Sequence, residues 1–223
     1  MHTCAASDDR KAIIKKWQFD KAAAENFAAI AHNEIPDYQR VIDLSIQIIR
    51  HLAIKNPRII DVGSAIGTTL HALYQAGFEN LYGVDNSAEM LARSFARATL
   101  IESDHFPVDY GPFDVVISNW VLHFIKDRES YLEDITSSLT PNGVLILTEK
   151  VSASPLANEL YYDFKRSNGL SEQQIEEKKQ RLAGVLVTYP LDWYLARLKS
   201  LGFEQIDVVN ANSVFVTLLA SRR

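Results

Sequence analysis

The stretch Arg58-Ile59-Ile60-Asp61-Val62-Gly63-Ser64-Ala65-Ile66-Gly67-Thr68-Thr69-Leu70 constrains this chain more than any other. A short apolar run ends at Asp61, a turn of small residues follows through Gly67, and a helical pattern opens at Thr68. A strand, a tight turn and a helix N-terminus in that order put backbone N–H groups where a nucleotide-like ligand can lie against them. A second apolar run, Leu81-Tyr82-Gly83-Val84, ends in Asp85. A carboxylate at the tip of the second strand is positioned to accept hydrogen bonds from a ribose.

Several ligands use a turn of this kind, and the spacing separates them. The dinucleotide fingerprint needs three glycines, the third so that helix and strand can pack closely. The matching positions here are Gly63, Ala65 and Thr68, so two of three fail. A phosphate loop ends in Gly-Lys-Ser/Thr, and Gly67-Thr68-Thr69 has no lysine. What remains is Asp-x-Gly-x-Gly-x-Gly with Ala65 in the middle place. That pattern resembles motif I of the class I S-adenosylmethionine (SAM) dependent methyltransferases, whose turn cradles the amino-acid part of SAM. With no pyrophosphate to neutralise, a small side chain in the middle is tolerated. The plainer alternative is that Gly63 and Gly67 only make a strand-to-helix turn. For Asp85-Asn86-Ser87 it is an N-cap. If Ser87 is the cap, the Asp85 carboxylate stays free for ribose.

The net charge of −5 argues against a protein built to grip nucleic-acid backbone. With 223 residues, 47% of them hydrophobic, the chain has enough material for one well-buried domain. Its one cysteine, Cys4, allows no internal disulfide and suits a reducing cytoplasm. The first ten residues have no apolar signal core, and no apolar run reaches membrane-spanning length. These features predict a cytoplasmic protein that does not cross a membrane.

The hydrophobic periodicity predicts helices over residues 8–31 and 37–52, the second with Val41, Leu44, Ile48 and Leu52 at helical spacing. Asn56-Pro57 stops that pattern. Strands at 58–62, 81–84, 99–102, 113–119 and 144–149 then alternate with helices at 67–76, 87–98 and 126–139. Gly77 caps the first of these helices, and Pro141-Asn142-Gly143 forms a turn. Such alternation predicts an α/β fold with a doubly wound parallel sheet. Residues 152–187 break the rhythm with largely helical sequence and a charged run over 172–181, which is either a solvated face or a lid. A helix at 192–201, capped by Gly202, leads to strands at 203–210 and 213–220. Their short connection requires antiparallel pairing if they pair. The chain thus reads as one domain over 1–223. N-terminal helices occupy 1–57, a Rossmann-like core 58–151, an inserted lid 152–190, and a helix with a strand pair 191–223.

Ligands of open α/β sheets bind at the carboxyl ends of the strands. Asn119-Trp120 ends the fourth strand, and Trp120 either stacks on ligand or fills core. His123 follows in an apolar stretch, where a histidine is either structural or a proton acceptor. Asp104-His105 follows the third strand, where an acid can accept from an adenine amino group. No general base stands out. His123, Tyr161, Tyr162 and Asp163 are candidates by position only.

Beyond motif I, the chain resembles the carboxy-SAM synthase family. The residues that carry the likeness are Phe19-Asp20, Ile35-Pro36-Asp37-Tyr38, 61–67, Val84-Asp85-Asn86-Ser87, and Leu147-Thr148-Glu149-Lys150-Val151-Ser152. The block Asp163-Phe164-Lys165-Arg166-Ser167-Asn168-Gly169-Leu170-Ser171-Glu172 is more diagnostic still. Ala196-Arg197-Leu198 and Gly202-Phe203 continue it. The resemblance implies a Rossmann-like class I methyltransferase fold, a mostly parallel seven-stranded sheet with an antiparallel last strand and helices on both faces. It implies homodimers and a role in tRNA wobble-uridine modification, in which SAM and prephenate give carboxy-SAM. It implies cofactor contacts at Tyr38, Gly63, Ser64, Ala65, Asp85 and Asn86, with Asp61 and Gly67 in the same motif. Further contacts fall at Asp104, His105 and Asn119. The cofactor is then SAM, S-adenosylhomocysteine (SAH) or carboxy-SAM. One departure stands out: where the family holds the new carboxylate with an arginine, this chain has Lys179, after Lys178. Lysine keeps the charge and loses the planar two-pronged geometry. The leading expectation is therefore a SAM-dependent methyltransferase with a small acceptor. Carboxy-SAM synthesis is the alternative, and a non-catalytic SAM-binding partner subunit is a second alternative.

Overall fold

A computed structural model describes residues 15–222. Two helices come first. Helix α1 (Lys21–Glu34) begins where the Asp20 carboxylate accepts from the Ala23 N–H at 3.1 Å. The expected helix from residue 8 is thus corrected for 15–20, which are not helical; its first part and Cys4 lie outside the described residues. Helix α2 (Tyr38–His51) buries Val41, Ile42, Ser45, Ile46 and Ile49. Leu44 and Ile48 are only half-buried, so the helix is rotated from the face expected for it.

The alternating core follows as β1 (Ile59–Val62), α3 (Thr68–Gln75), β2 (Leu81–Asp85), α4 (Ala88–Leu91) and β3 (Thr99–Glu102). It continues through β4 (Phe113–Asn119), α5 (Arg128–Ser137) and β5 (Leu139–Lys150). The inserted segment forms α6 (Pro155–Ser167) and α7 (Glu172–Leu182). The chain ends with α8 (Leu191–Ser200), β6 (Gln205–Asn212) and β7 (Phe215–Ser221).

Two expectations change here. The helix read over 87–98 is a single turn, because the chain leaves it to run Ser94 and Phe95 against the turn at Gly67. A Cβ on Gly67 would meet the Phe95 backbone nitrogen at 2.7 Å. Strand β5 begins five residues earlier than read. Leu139 pairs with Phe113 and Val144 with Val115, so Pro141-Asn142-Gly143 makes an excursion within one strand.

The sheet has seven strands in the order β3-β2-β1-β4-β5-β7-β6, with β7 antiparallel to both neighbours. Neighbouring residues of each strand point to opposite faces. Ile60, Val116 and Leu145 pack against Leu132 of α5 and Leu198 of α8 on one face. Ile59, Ile117 and Ile146 pack against Ile42 and Ile49 of α2 and Leu73 of α3 on the other. With both faces covered, what the sheet leaves open is its carboxyl edge, where β1, β2, β4 and β5 end. Among the described residues no helix is long and apolar enough to cross a membrane.

Candidate active site

A cavity of about 930 Å³ lies at that edge, near the upper end of the size range for small-molecule sites. It runs from the turn after β1 to helices α6 and α7, with α1 along one side.

At the first end the turn is built on left-handed backbone. Gly63, Ala65 and Gly67 have φ of +63°, +47° and +74°. At Gly63 a Cβ would sit 2.4 Å from Val121 Cγ2. Both glycines are therefore fixed by close approach within the protein as well as by the turn. The Asp85 carboxylate clamps the turn: one oxygen accepts from the Ala65 N–H and the other from the Ser87 N–H, each at 2.9 Å. Ser87 is the N-cap of α4, accepting from the Met90 N–H at 3.2 Å, as its place in the sequence suggested. The Asp85 carboxylate is consequently not free, although each oxygen keeps capacity for a further donor. Burial raises the Asp85 carboxyl, and its backbone hydrogen bonds pull the other way. Asp61, buried beneath the turn, is pushed up to about 8, first by burial and then by the negative charge of Asp85.

Tyr38 and Trp120 form the neighbouring wall, with ring centroids 4.9 Å apart. Burial pushes the Tyr38 phenol up to about 12, against a hydrogen bond with Thr68. Trp120 is half-buried at φ +62°, so it both fills core and faces the cavity. Beside it, both polar ends of the Asn119 amide and the Ser64 hydroxyl are buried without a hydrogen-bond partner. Buried amides without partners are rare in folded proteins. On a cavity wall they mark where a ligand's polar groups belong, and this donor and acceptor set fits the amino-acid and ribose parts of SAM. Asn86 lines the same end. Asp104 reaches only the rim with a 73% exposed side chain. His105 is 86% exposed, 3.3 Å from Asp104, and outside the lining.

Behind the middle of the cavity wall runs a buried polar chain that reaches the cavity at His123. His123 Nδ1 lies 2.8 Å from Glu149 Oε2, and both side chains are 3% exposed. The other Glu149 oxygen accepts from the N–H groups of Val121 and Leu122 at 3.2 and 2.8 Å. The Tyr194 hydroxyl donates to Glu149 at 3.1 Å, and Arg128 donates to Tyr194 at 3.1 Å and to the Val187 carbonyl at 2.7 Å. The His123 ring is thus locked, and its residue lines the cavity.

At the far end the charges are ammonium groups. Lys165 is 4% exposed, with Nζ 2.9 Å from Glu34, and Lys178 lies 3.3 Å from the same carboxylate. The Lys150 ammonium, at the end of β5, has no hydrogen-bond or ion-pair partner among the described residues. It lies 4.4 Å from the Tyr161 ring centroid, and the Lys165 ammonium lies 4.9 Å from it. Burial, followed by the charge of Lys165, pulls Lys150 down to about 8. Lys178 also falls to about 8, mainly by burial. Burial raises the Tyr161 phenol well above its ordinary value. Tyr162 lines the cavity, while Asp163 is turned out to Arg166 at 2.6 Å. Lys179 sits at the rim, 47% exposed and 2.9 Å from Glu176.

The structure therefore gathers Tyr38, Asp61, Gly63, Ser64, Ala65, Asp85, Asn86 and Asn119 at one end, with Gly67 closing the turn. It leaves His105 outside, and Asp104 and Lys179 at the rim. Glu149, Lys150 and Lys165 fall in the blocks that carry the family resemblance, but they and Glu34 were given no role from the sequence. One signal was available: Glu149 and Lys150 are the charged residues that follow the apolar run 144–147 and Thr148, at the strand end where ligands bind. Among the described residues no cluster of three or more His, Cys, Asp or Glu could hold a metal ion.

Comparison with known proteins gives a consistent result. A family described as "Methyltransferase domain" matches residues 60–147. The carboxy-S-adenosyl-L-methionine synthase of Nautilia profundicola is 31% identical, over 94% of this chain and 96% of its own length. That of Photorhabdus laumondii is 31% identical over 94% and 90%. Among solved structures, magnesium protoporphyrin IX methyltransferase of Synechocystis with bound SAH superposes with a TM-score of 0.65 at 16% identity, covering 92% of this chain and 96% of that one. A SAM-dependent methyltransferase of Aquifex aeolicus gives 0.60 at 15%, covering 92% and 100%. At such low identity the structural matches speak for the Rossmann-like fold alone.

Proposed function

We propose that this chain, which belongs to the carboxy-SAM synthase family of class I SAM-dependent methyltransferase-fold enzymes, transfers the methyl group of SAM to a small acceptor. The observation that carries this reading is the single continuous cavity. It joins the motif I turn, with its unpartnered Asn119 amide, to a second compartment under α1, α6 and α7. The cofactor of such an enzyme is SAM, with SAH as its demethylated form.

Bound there, SAM supplies a methyl group already activated by its sulfonium. The protein's part is to orient two molecules in line and to exclude water, which can contribute roughly 7–11 kcal/mol. The Asp85 carboxylate and the turn 63–67 hold the cofactor's polar groups, and Asn119 and Ser64 satisfy what is left. His123, held by Glu149, is the group suited to accept a proton from an acceptor, with Glu149 as its positioning residue. Burial holds the Tyr161 phenol protonated at ordinary pH, so it does not serve as a base there. We also propose cytoplasmic location and a homodimer, on the family resemblance. The negative net charge supports a small acceptor over direct nucleic-acid contact.

A second reading is carboxy-SAM synthesis from SAM and prephenate for tRNA wobble-uridine modification. The printed names of the relatives at 31% identity favour it. Lys179 weighs against its usual carboxylate contact, because that ammonium is engaged with Glu176 at the rim. A non-catalytic SAM-binding subunit is the third.

Mass spectrometry of the small molecule extracted from freshly purified protein separates these readings. SAM or SAH is the result expected for methyl transfer, and carboxy-SAM would replace it with the second reading. If the protein neither retains nor binds SAM or SAH, all three fail.

A further inference from the structure

We propose that Arg128 and Tyr194, neither of which lines the cavity, are positioning residues for His123. They fix it as the tautomer with its hydrogen on Nδ1, so that Nε2 keeps a lone pair and is the proton-accepting atom. The inference rests on the methyl-transfer reading, in which His123 takes the acceptor's proton, and names what decides which nitrogen takes it.

Arg128, Tyr194, Glu149, His123 and Val187 close a ring of hydrogen bonds. They come from the start of α5, from α8, from β5, from the turn after β4 and from the segment between α7 and α8. Side chains make the links from Arg128 through Tyr194 and Glu149 to the His123 imidazole. Backbone makes the return. The Val187 N–H donates to the His123 carbonyl at 2.8 Å, and the Val187 carbonyl accepts from Arg128 at 2.7 Å. Arg128 is 2% exposed, and its guanidinium carbon lies 3.9 Å from the Tyr189 ring centroid. The circuit therefore starts from a fixed cation.

The circuit also has a direction. A guanidinium can only donate. The Tyr194 oxygen accepts from Arg128, so its own hydrogen points to Glu149. Burial, then the negative charge of Glu149, holds the Tyr194 phenol well above its ordinary value, and that hydrogen stays in place. The other Glu149 oxygen accepts from the Val121 and Leu122 N–H groups. With three donors aimed at it, the carboxylate has one acceptor position left, and His123 Nδ1 fills it at 2.8 Å. Nδ1 thus carries the hydrogen. In a neutral histidine the bond made by one ring nitrogen decides the state of the other. His123 Nε2 has no hydrogen-bond partner among the described residues, and the residue lines the cavity.

The test uses the full-length protein, isotope-labelled in its histidine nitrogens. Long-range proton–nitrogen NMR spectra, taken where the rings are neutral, show which nitrogen carries the hydrogen. His123→Gln identifies the His123 signals among the six histidines. The expected result for wild type is a single Nδ1–H tautomer. Glu149→Gln keeps an oxygen for the two backbone N–H groups and turns its amide N–H to Nδ1, so it should reverse the tautomer to Nε2–H. Tyr194→Phe and Arg128→Met should each show both forms, with the ratio changed about tenfold or more, as loss of one charge-assisted hydrogen bond would give. A wild-type ring with its hydrogen on Nε2, or an Nδ1–H ring in Glu149→Gln, overturns the proposal. An unmixed Nδ1–H ring in Tyr194→Phe overturns the part given to Tyr194 and Arg128. Arg128→Met leaves two buried acceptors without their donor, so thermal melts accompany it, and Tyr194→Phe decides if it does not fold. Calorimetry with SAH on the same samples separates the two levels. Failure of wild-type protein to bind SAH would sink the methyl-transfer reading. Binding of SAH by a protein with the wrong tautomer would sink only this inference.

Discussion

At one end of the cavity the acidic groups are Asp61 and Asp85, on short side chains at strand ends, with Asp85 clamped to backbone and Asp61 pushed up to about 8 by burial. At the other the charges are ammonium groups, Lys150, Lys165 and Lys178, on long side chains from one strand and two helices. The first end is rigid because its position follows from the turn itself. The second is assembled from parts far apart in the chain, and one shared carboxylate holds two of its three cations. The contrast gives the cavity a direction. The acidic end suits the cationic cofactor proposed above, and the basic end suits a group of negative charge.

The rigid end should break most completely. Gly67→Val adds a side chain where backbone already lies at 2.7 Å, on a residue at φ +74°. We expect a loss of about 3 kcal/mol or more in denaturant unfolding and no measurable SAM binding. Lysine-end substitutions should show no such collapse. A Gly67→Val protein of normal stability would mean that the close approach at Ser94-Phe95 relaxes easily.

Next in size is the clamp. Asp85→Ala removes the acceptor for two backbone N–H groups and the proposed ribose contact together. Each charge-assisted bond is worth roughly 1.5–3 kcal/mol, so SAM affinity should fall at least about tenfold by calorimetry. Asp61, pushed up to about 8, stays largely protonated at neutral pH before a cationic ligand arrives. SAM binding near pH 7 should therefore release protons, seen as a dependence of binding enthalpy on buffer ionisation heat. Asp61→Asn should abolish that dependence. Unchanged proton release in the asparagine variant would reassign it to another group.

How much of each end could be read in advance follows from the same contrast. Residues 61–67 and Asp85 were legible because strand, turn and helix lie consecutively and the chemistry repeats in the spacing. The seven-stranded α/β sheet was legible for the same reason, through alternating apolar runs. Asp85 was read as free, because its bonds to the Ala65 and Ser87 N–H groups depend on the folded turn. The basic end had only a weak local signature, the charges that close the apolar run of β5. Glu34 and Lys165 are 131 positions apart, and Lys150 is one charge closing an apolar strand. His123 looked like a lone apolar-stretch histidine until β4 and β5 brought Glu149 beside it.

A smaller effect sharpens the comparison by stability alone. Lys150 has a folded value near 8 against about 10.5 unfolded, a difference of roughly 1–3 kcal/mol after relaxation. Below pH 8 both states hold the proton and the full cost is present. Between pH 8 and 10.5 the unfolded state binds more protons, so the cost is relieved as pH rises. Lys150→Met should therefore raise the melting temperature by several degrees at pH 7, and its advantage should shrink towards pH 10. Comparing the variant with wild type cancels the parallel titration of Lys178. The Glu34 carboxylate, Lys165 and the Tyr161 and Tyr162 phenols also face this site and are common to both proteins. An advantage that does not change with pH would mean that Lys150 carries no unfavourable charge.

The smallest expected effect lies back at the rigid end, at Ala65. Its φ of +47° is a conformation that a Cβ disfavours, by roughly 1–2 kcal/mol. The residue is held there because its N–H reaches Asp85. Ala65→Gly relieves the strain but frees the unfolded chain, which costs about 0.5–1 kcal/mol. The two terms nearly cancel, leaving a net gain of at most about 1 kcal/mol. Neither the backbone donor nor any charge changes, so SAM affinity should stay within about twofold. Ala65 is one of the few places at this end where a side chain can be removed without touching the clamp. A clear loss of stability there would show that the alanine methyl, packed with Ala23, Ala24 and Met90, contributes more by burial than it costs in backbone strain. The rigid end would then owe part of its order to α1, and the contrast between the two ends would be one of degree.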